Sequence, residues 1–149
     1  MPKEMTIKNT VTIAAPASKV WDALVNPEHT KKYMFGCEPI TNWQPGSSIR
    51  WVGVFDDKEI EAVTGKVVSI DKGKSLAYTT FDPNGTYPDL PENHLVVTYS
   101  LVEKGGSTEF TVTQGDYSKV AEGQKRYDDT MNEGGWAGIL EQIKGIVEA

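Results

Sequence analysis

Polar residues that share a strand face with apolar ones are the best placed to do chemistry. Gln114 follows Phe110 and Val112 at two-residue spacing, so in a strand all three point to one side. Thr80 stands in the same relation to Tyr78. A buried amide or hydroxyl needs a hydrogen-bond partner, and protein, water or a ligand can supply it. Trp51, Tyr78 and Tyr99 fall in the middle of strand-like runs, and Trp136 heads an apolar helical stripe. Such rings suit an ordinary core or the wall of a pocket, where they supply area and a few polar tips supply orientation. Trp21 and Trp136, both on helical stripes, fit the core reading best; Trp51 and Tyr78 fit the pocket reading best. The expected ligand-binding set, facing one interior, is Trp51, Tyr78, Thr80, Tyr99, Gln114 and Trp136.

Other chemistries find less support. His94 opens a strand beside a proline-rich segment and has the side chain to act as acid or base near neutrality. A partly exposed strand-end histidine is the more common case and the preferred reading, and His29 reads as surface. Two distant histidines, one cysteine and no HExxH or CxxC pattern leave no zinc signature. Asp56-Asp57, Glu59 with Glu61, and Asp128-Asp129 read as solvated surface, and Asp82-Pro83-Asn84-Gly85 as a turn. GxSxG, Walker A and dinucleotide fingerprints are all absent. No catalytic residue, metal or cofactor is expected.

The composition sets the frame. The chain has 149 residues, of which 38% are apolar and 24% charged, as expected of one globular domain spanning residues 1–149. Its net charge of −6 disfavours nucleic acid and anionic membranes as partners. No run is long and apolar enough to insert into a bilayer, and MPKEMTIKNT lacks the apolar core of a signal peptide. Cys37 is the single cysteine, which fits a reducing compartment. The expected location is the cytoplasm.

Hydrophobic periodicity supplies the elements. Residues 5–14 alternate as a strand; Pro16 opens a helix with the stripe Val20, Trp21, Leu24 and Val25, and Asn26-Pro27 ends it. A second short helix covers 28–34. Trp43-Gln44-Pro45-Gly46 is a turn, and Ile49, Trp51, Gly53 and Phe55 then alternate up to a hairpin tip at Asp56-Asp57-Lys58. Strands follow at 59–70, around Leu76, Tyr78 and Thr80, and at 94–102 and 107–115. The last two place Val97, Tyr99 and Leu101 against Phe110, Val112 and Gln114. Residues 82–93, with three prolines, suit a lid. Segment 117–133 is helical in part. Residues 134–149 close the chain as a helix striped by Trp136, Ile139, Leu140, Ile143, Ile146 and Val147. The order makes an α+β fold in which an antiparallel sheet must cover that stripe.

The runs VTIAAPASKVWDALVNPEHTKKY (11–33), GKVVSIDKGKSLAYTTF (65–81), HLVVTYSLVEKGGSTEFTVTQGDY (94–117) and GGWAGILEQIKGIVEA (134–149), with the Trp43–Gly46 turn, resemble the START-like superfamily. This superfamily is also described as helix-grip or Bet v 1-like, and the likeness is greatest to its activator of Hsp90 ATPase homologue family. The resemblance implies a curved antiparallel sheet of six to seven strands gripping a long C-terminal helix. Two short helices follow the first strand, and an apolar cavity lies between sheet and helix. Relatives include carriers of lipids and hormones, polyketide cyclases, drug-sequestering proteins and co-chaperone domains. Three functions stay open. The first is binding of a small apolar or aromatic ligand, as carrier, sensor or sequestering protein. The second is a cyclase or dehydratase working through Tyr78, His94 or Gln114 on a hydrophobic carbonyl substrate, and the third an interaction module. The expected partner is a small hydrophobic ligand, with a homodimer left open.

Overall fold

A computed structural model describes residues 6–33, 36–55, 57–81, 94–115, 117, 123–132 and 134–148. The elements run β1 (Ile7–Ile13), α1 (Ala17–Val25), α2 (Pro27–Tyr33), β2 (Glu38–Ile40), β3 (Ser48–Phe55), β4 (Lys58–Asp71), β5 (Ser75–Thr80), β6 (Leu95–Lys104), β7 (Ser107–Gly115), α3 (Gly123–Asn132) and α4 (Ala137–Glu148). The strands form one seven-stranded sheet in the order β1-β7-β6-β5-β4-β3-β2, antiparallel at every pairing. This is the curved helix-grip sheet that the α+β reading anticipates. The expected lid, residues 82–93, lies outside the described residues.

Period two fixes the sheet's facing. Val97, Tyr99 and Leu101 stand opposite Gln114, Val112 and Phe110, and the five apolar members of the two triplets are buried. The register of β4 breaks that period twice. Ala62 has no partner between Trp51↔Val63 and Val52↔Glu61, and Val68 has none between Val67↔Tyr78 and Ser69↔Ala77. An unpaired extra residue bends a strand and increases its twist, so these bulges help to curve the sheet. Gly65 lies between them. A Cβ there would stand 1.8 Å from the Thr79 carbonyl oxygen, so the close approach of β4 to β5 needs glycine.

The helices start where local chemistry permits. Pro16 is extended (φ −69°, ψ 156°) and caps α1 without a side-chain bond. The free Ala17 N–H donates instead to Glu103 Oε1 on β6, at 2.7 Å. Asn26 serves two helices. Its N–H donates to Asp22 O at the end of α1, and its Oδ1 accepts from Glu28 N at the start of α2. Pro27 follows in the first helical position, where its missing N–H costs nothing. The Tyr33 hydroxyl donates to Ala23 O at 2.6 Å and ties α2 to α1.

The closing segment differs in detail from its expected form. Gly134 and Gly135 have φ of 88° and 60°, and their N–H groups donate back to Met131 O and Thr130 O. They terminate α3 and separate it from α4. Trp136 is therefore not within the helical stripe; its carbonyl accepts from Leu140 N, which makes it the N-cap of α4. The rest of the stripe holds, with Leu140, Ile143 and Val147 buried and Ile139 and Ile146 half-buried. Helix α4 packs chiefly on β1, α1 and α2.

At the far end of α4, Glu148 accepts from Ala14 N at 2.8 Å and Lys144 Nζ at 2.6 Å, while Lys144 Nζ also donates to Thr12 O. These bonds hold the Glu148 carboxyl below its ordinary value of 4.5. A depressed carboxylate stabilises the fold above its unfolded-state value and loses that effect as pH falls through the folded one. Glu148→Gln should therefore lower the melting temperature near neutrality, with the gap from wild type closing below pH 4.5. A gap unchanged down to strong acid would disprove the linkage. Leu140→Ala should cost about 2–5 kcal/mol in denaturant melts if the site cannot collapse.

Candidate functional site

A cavity of about 300 Å³ lies where the N-terminal end of α4 stands away from the middle of the sheet. Trp51 on β3, Tyr78 and Thr80 on β5, Gln114 on β7 and the N-cap Trp136 all line it. Five of the six expected residues thus meet around one space. Tyr99 does not reach its wall. It is buried behind Tyr78, with its ring packed edge-on against Tyr78 (5.6 Å between centroids) and Trp136 (6.0 Å).

Several wall residues were not in the expected set. Ala62 and Val63 are consecutive, yet both line the cavity, because the bulge at Ala62 interrupts the alternation. No residue type announces that bulge. Val97 shares a face with Tyr99 and could have been inferred from period two. Ile139 belongs to the helical stripe. Cys37 and Thr130 come from segments whose facing has no periodic signal. Gly135 also lines the space; a Cβ on it would stand 2.6 Å from Asn9 Oδ1 and 2.8 Å from Ile7 Cγ2. Its positive φ and this contact both call for glycine.

Hydrogen bonds use up most of the polar groups. Trp136 N donates to Asn9 Oδ1 at 2.9 Å, and Trp136 Nε1 to Gln114 Oε1 at 2.8 Å. The Tyr78 and Tyr99 hydroxyls are paired at 2.7 Å, fully buried. Burial raises both phenols above their ordinary value, with Tyr99 adding to the rise at Tyr78. The pair therefore stays protonated. Thr80 Oγ1 makes a longer bond to Leu95 O, at 3.4 Å. Burial also pushes the Cys37 thiol up, which keeps it neutral and poorly nucleophilic. The indole N–H of Trp51, a residue only 3% exposed, has no acceptor among the described residues.

Among the described residues, no lysine, arginine, histidine, aspartate or glutamate lines the cavity. His94 is stacked on Phe81, at 4.9 Å and 13° between rings, and is not on the wall. His29 is half-buried between helices rather than fully on the surface, with Nε2 3.1 Å from Asp22 Oδ2. Among the described residues, no group of three or more His, Cys, Asp or Glu is placed to hold a metal ion. What the cavity offers chemically is apolar and aromatic area with hydrogen-bond donors.

The sequence profile of the family described as "Activator of Hsp90 ATPase homolog 1-like protein" matches residues 14–148. No curated protein matches significantly. Among solved structures, the solution structure of ChR145 from Cytophaga hutchinsonii is 36% identical, with 99% of this chain and 97% of that chain covered and a TM-score of 0.75. The solution structure of the Aha1 dimer from Colwellia psychrerythraea is 18% identical over 96% of each chain, with a TM-score of 0.68. The crystal structure of Ara h 8.0201 is 21% identical over 95% of this chain and 96% of that chain, with a TM-score of 0.64. These last two likenesses are of fold alone.

The Gln114–Trp136 bond yields a stability test. Gln114→Leu leaves the Trp136 N–H without its acceptor and should cost about 1–3 kcal/mol in denaturant unfolding. An unchanged midpoint would mean that water replaces the amide at no cost.

Proposed function

Because the chain belongs to the activator of Hsp90 ATPase homolog 1-like family of the START-like superfamily, and a cavity between its sheet and last helix is lined by no ionisable carboxylate or basic group among the described residues, we propose that it binds a small apolar or aromatic molecule there. It would act as a carrier, sensor or sequestering protein. The observation that carries this reading is the wall itself. Trp51, Tyr78, Val97, Trp136 and Ile139 give it apolar area, and among the described residues no ionised side chain lines it. At about 300 Å³ it is at the lower end of small-molecule sites, which run to about 1,000 Å³. That favours a compact molecule of one or two rings. Its gain would come mostly from apolar burial, about 25 cal/mol per Å² before the costs of association.

The cyclase reading has less behind it. Tyr78 is paired and held neutral, Gln114 is bonded to Trp136, and His94 is not on the wall. General acid–base chemistry needs a group that can exchange a proton near the working pH, and no described wall residue is tuned for that. Among the described residues no helix is long and apolar enough to cross a membrane, and the free Cys37 thiol accords with a cytoplasmic location. A homodimer, the state named for the Colwellia psychrerythraea protein, is a further proposal that light scattering decides.

Cys37 provides the test, since it is the single cysteine and lines the cavity. An uncharged naphthalene dye should bind saturably with a blue-shifted emission, and bound dye should slow the alkylation of Cys37. Without dye, alkylation should already be slower than in denaturant, because burial disfavours the thiolate. If the dye does not bind saturably, or binds without protecting Cys37, the cavity is not the ligand site.

A further inference from the structure

The hydrogen-bonding groups around the cavity are out of balance, and the imbalance has a sign. Trp51 Nε1 is shut off from water and has no acceptor among the described residues. The Tyr78–Tyr99 pair shares one contact but has two hydroxyl protons, so one proton has no acceptor within the pair. Gln114 Oε1, the amide oxygen on the wall, accepts from Trp136 Nε1 and is bonded to neither group. Both surplus groups are donors. A buried donor without an acceptor costs about 1–3 kcal/mol, so a ligand that supplies one recovers free energy that apolar contact alone cannot.

We propose that the cavity selects uncharged molecules with a carbonyl oxygen, such as a ketone, aldehyde or ester, and that such a ligand displaces the side chains covering the indole N–H of Trp51, so that its oxygen accepts that N–H. The assignment rests on the reading that the cavity holds a ligand. A neutral acceptor fits because no lysine, arginine or histidine lines the wall among the described residues, and an unpaired carboxylate would be costly to bury. A carbonyl suits the site better than a ligand hydroxyl. It has two lone pairs and brings no proton that would itself need an acceptor. Trp51 is placed for the role mid-strand on β3, opposite Val63 and beside the Ala62 bulge, with its ring 6.1 Å from that of Tyr78. A carbonyl near both rings has the Tyr78 hydroxyl as a second potential donor. Trp51 is thus a specificity residue for the ligand's polar end, while Val97, Trp136 and Ile139 contact its apolar part.

Three probes of nearly one shape separate the contributions: 2-acetylnaphthalene, 2-ethylnaphthalene and 2-naphthoate. Each is titrated into wild type and Trp51→Phe, which keeps an aromatic ring and removes the N–H. The ketone should lose about three- to tenfold in affinity in the variant, the worth of one neutral hydrogen bond, while the hydrocarbon changes by less than about twofold. Naphthoate should bind wild type at least about tenfold more weakly than the ketone, as expected for an unpaired buried charge. Wild type gives a readout that does not depend on the variant's folding. The Trp51 indole proton resonance should move downfield with the ketone and not with the hydrocarbon. Equal losses for ketone and hydrocarbon, or an indole proton that ignores the ketone, would overturn the carbonyl assignment and leave ligand binding standing. Naphthoate binding as tightly as the ketone would overturn the requirement for neutrality. Failure of all three probes to bind wild type would remove the ligand-binding reading and this inference with it.

Discussion

Trp136 is bonded to the sheet twice, and the shape of the interior depends on it. Its backbone N–H reaches Asn9 on β1 and its indole N–H reaches Gln114 on β7. Ile7 and Gln114 are register partners across those strands, so both anchors fall on the same stretch of the β1–β7 pair. The start of α4 is thereby fixed over one end of the sheet order. The only residue that fits between Trp136 and β1 is one without a Cβ, and Gly135 supplies it. A helix anchored at the β1–β7 side cannot also lie flush on β3, β4 and β5, because the sheet curves. The space left over is the cavity.

Strand β4 contributes to the curvature. This strand of 14 residues carries both bulges and the close approach at Gly65. The first bulge turns two successive residues, Ala62 and Val63, toward the cavity. An evenly pleated strand would have sent one of them to the outside. The feature that bends the sheet therefore also shapes its concave wall. The aromatic chain from Trp51 through Tyr78 and Tyr99 to Trp136 runs along that wall, with Tyr99 behind it. With Tyr99 as a buried support rather than a contact residue, its hydroxyl is spent on Tyr78.

Polar contacts outside the cavity close the two ends of the chain on each other. Glu103 caps α1 across 86 positions of sequence, and Glu148 and Lys144 reach the backbone at Ala14 and Thr12. The buried Thr108 hydroxyl donates to Ala15 O at 2.8 Å and holds the same corner from β7. These bonds brace the strand-to-helix turn around Pro16, where local sequence offers the helix no side-chain cap. This corner of the fold is thus held together by residues from the second half of the chain.

Much of this could be read before any coordinates. The two-residue spacing of Val97, Tyr99, Leu101 and of Phe110, Val112, Gln114 determined facing and register, because side chains in a strand can point only two ways. The spacing of Leu140, Ile143 and Val147 determined which side of the last helix is buried, for the analogous reason at helical period. Those periods also put Trp51, Tyr78, Thr80, Gln114 and Trp136 on the interior side, and these residues do line the cavity. Periodicity says which side a residue faces but not how far it lies from the neighbouring layer. Tertiary structure alone decided that Tyr99 stands behind the wall, that Gln114 is already bonded to Trp136, and that Trp136 caps the helix instead of lying within it. It alone placed Ala62, Cys37 and Thr130 at the cavity and left the Trp51 N–H without an acceptor among the described residues. Bulges, helix offset and hydrogen-bond competition arise between segments far apart in the chain, so no local pattern of residues encodes them.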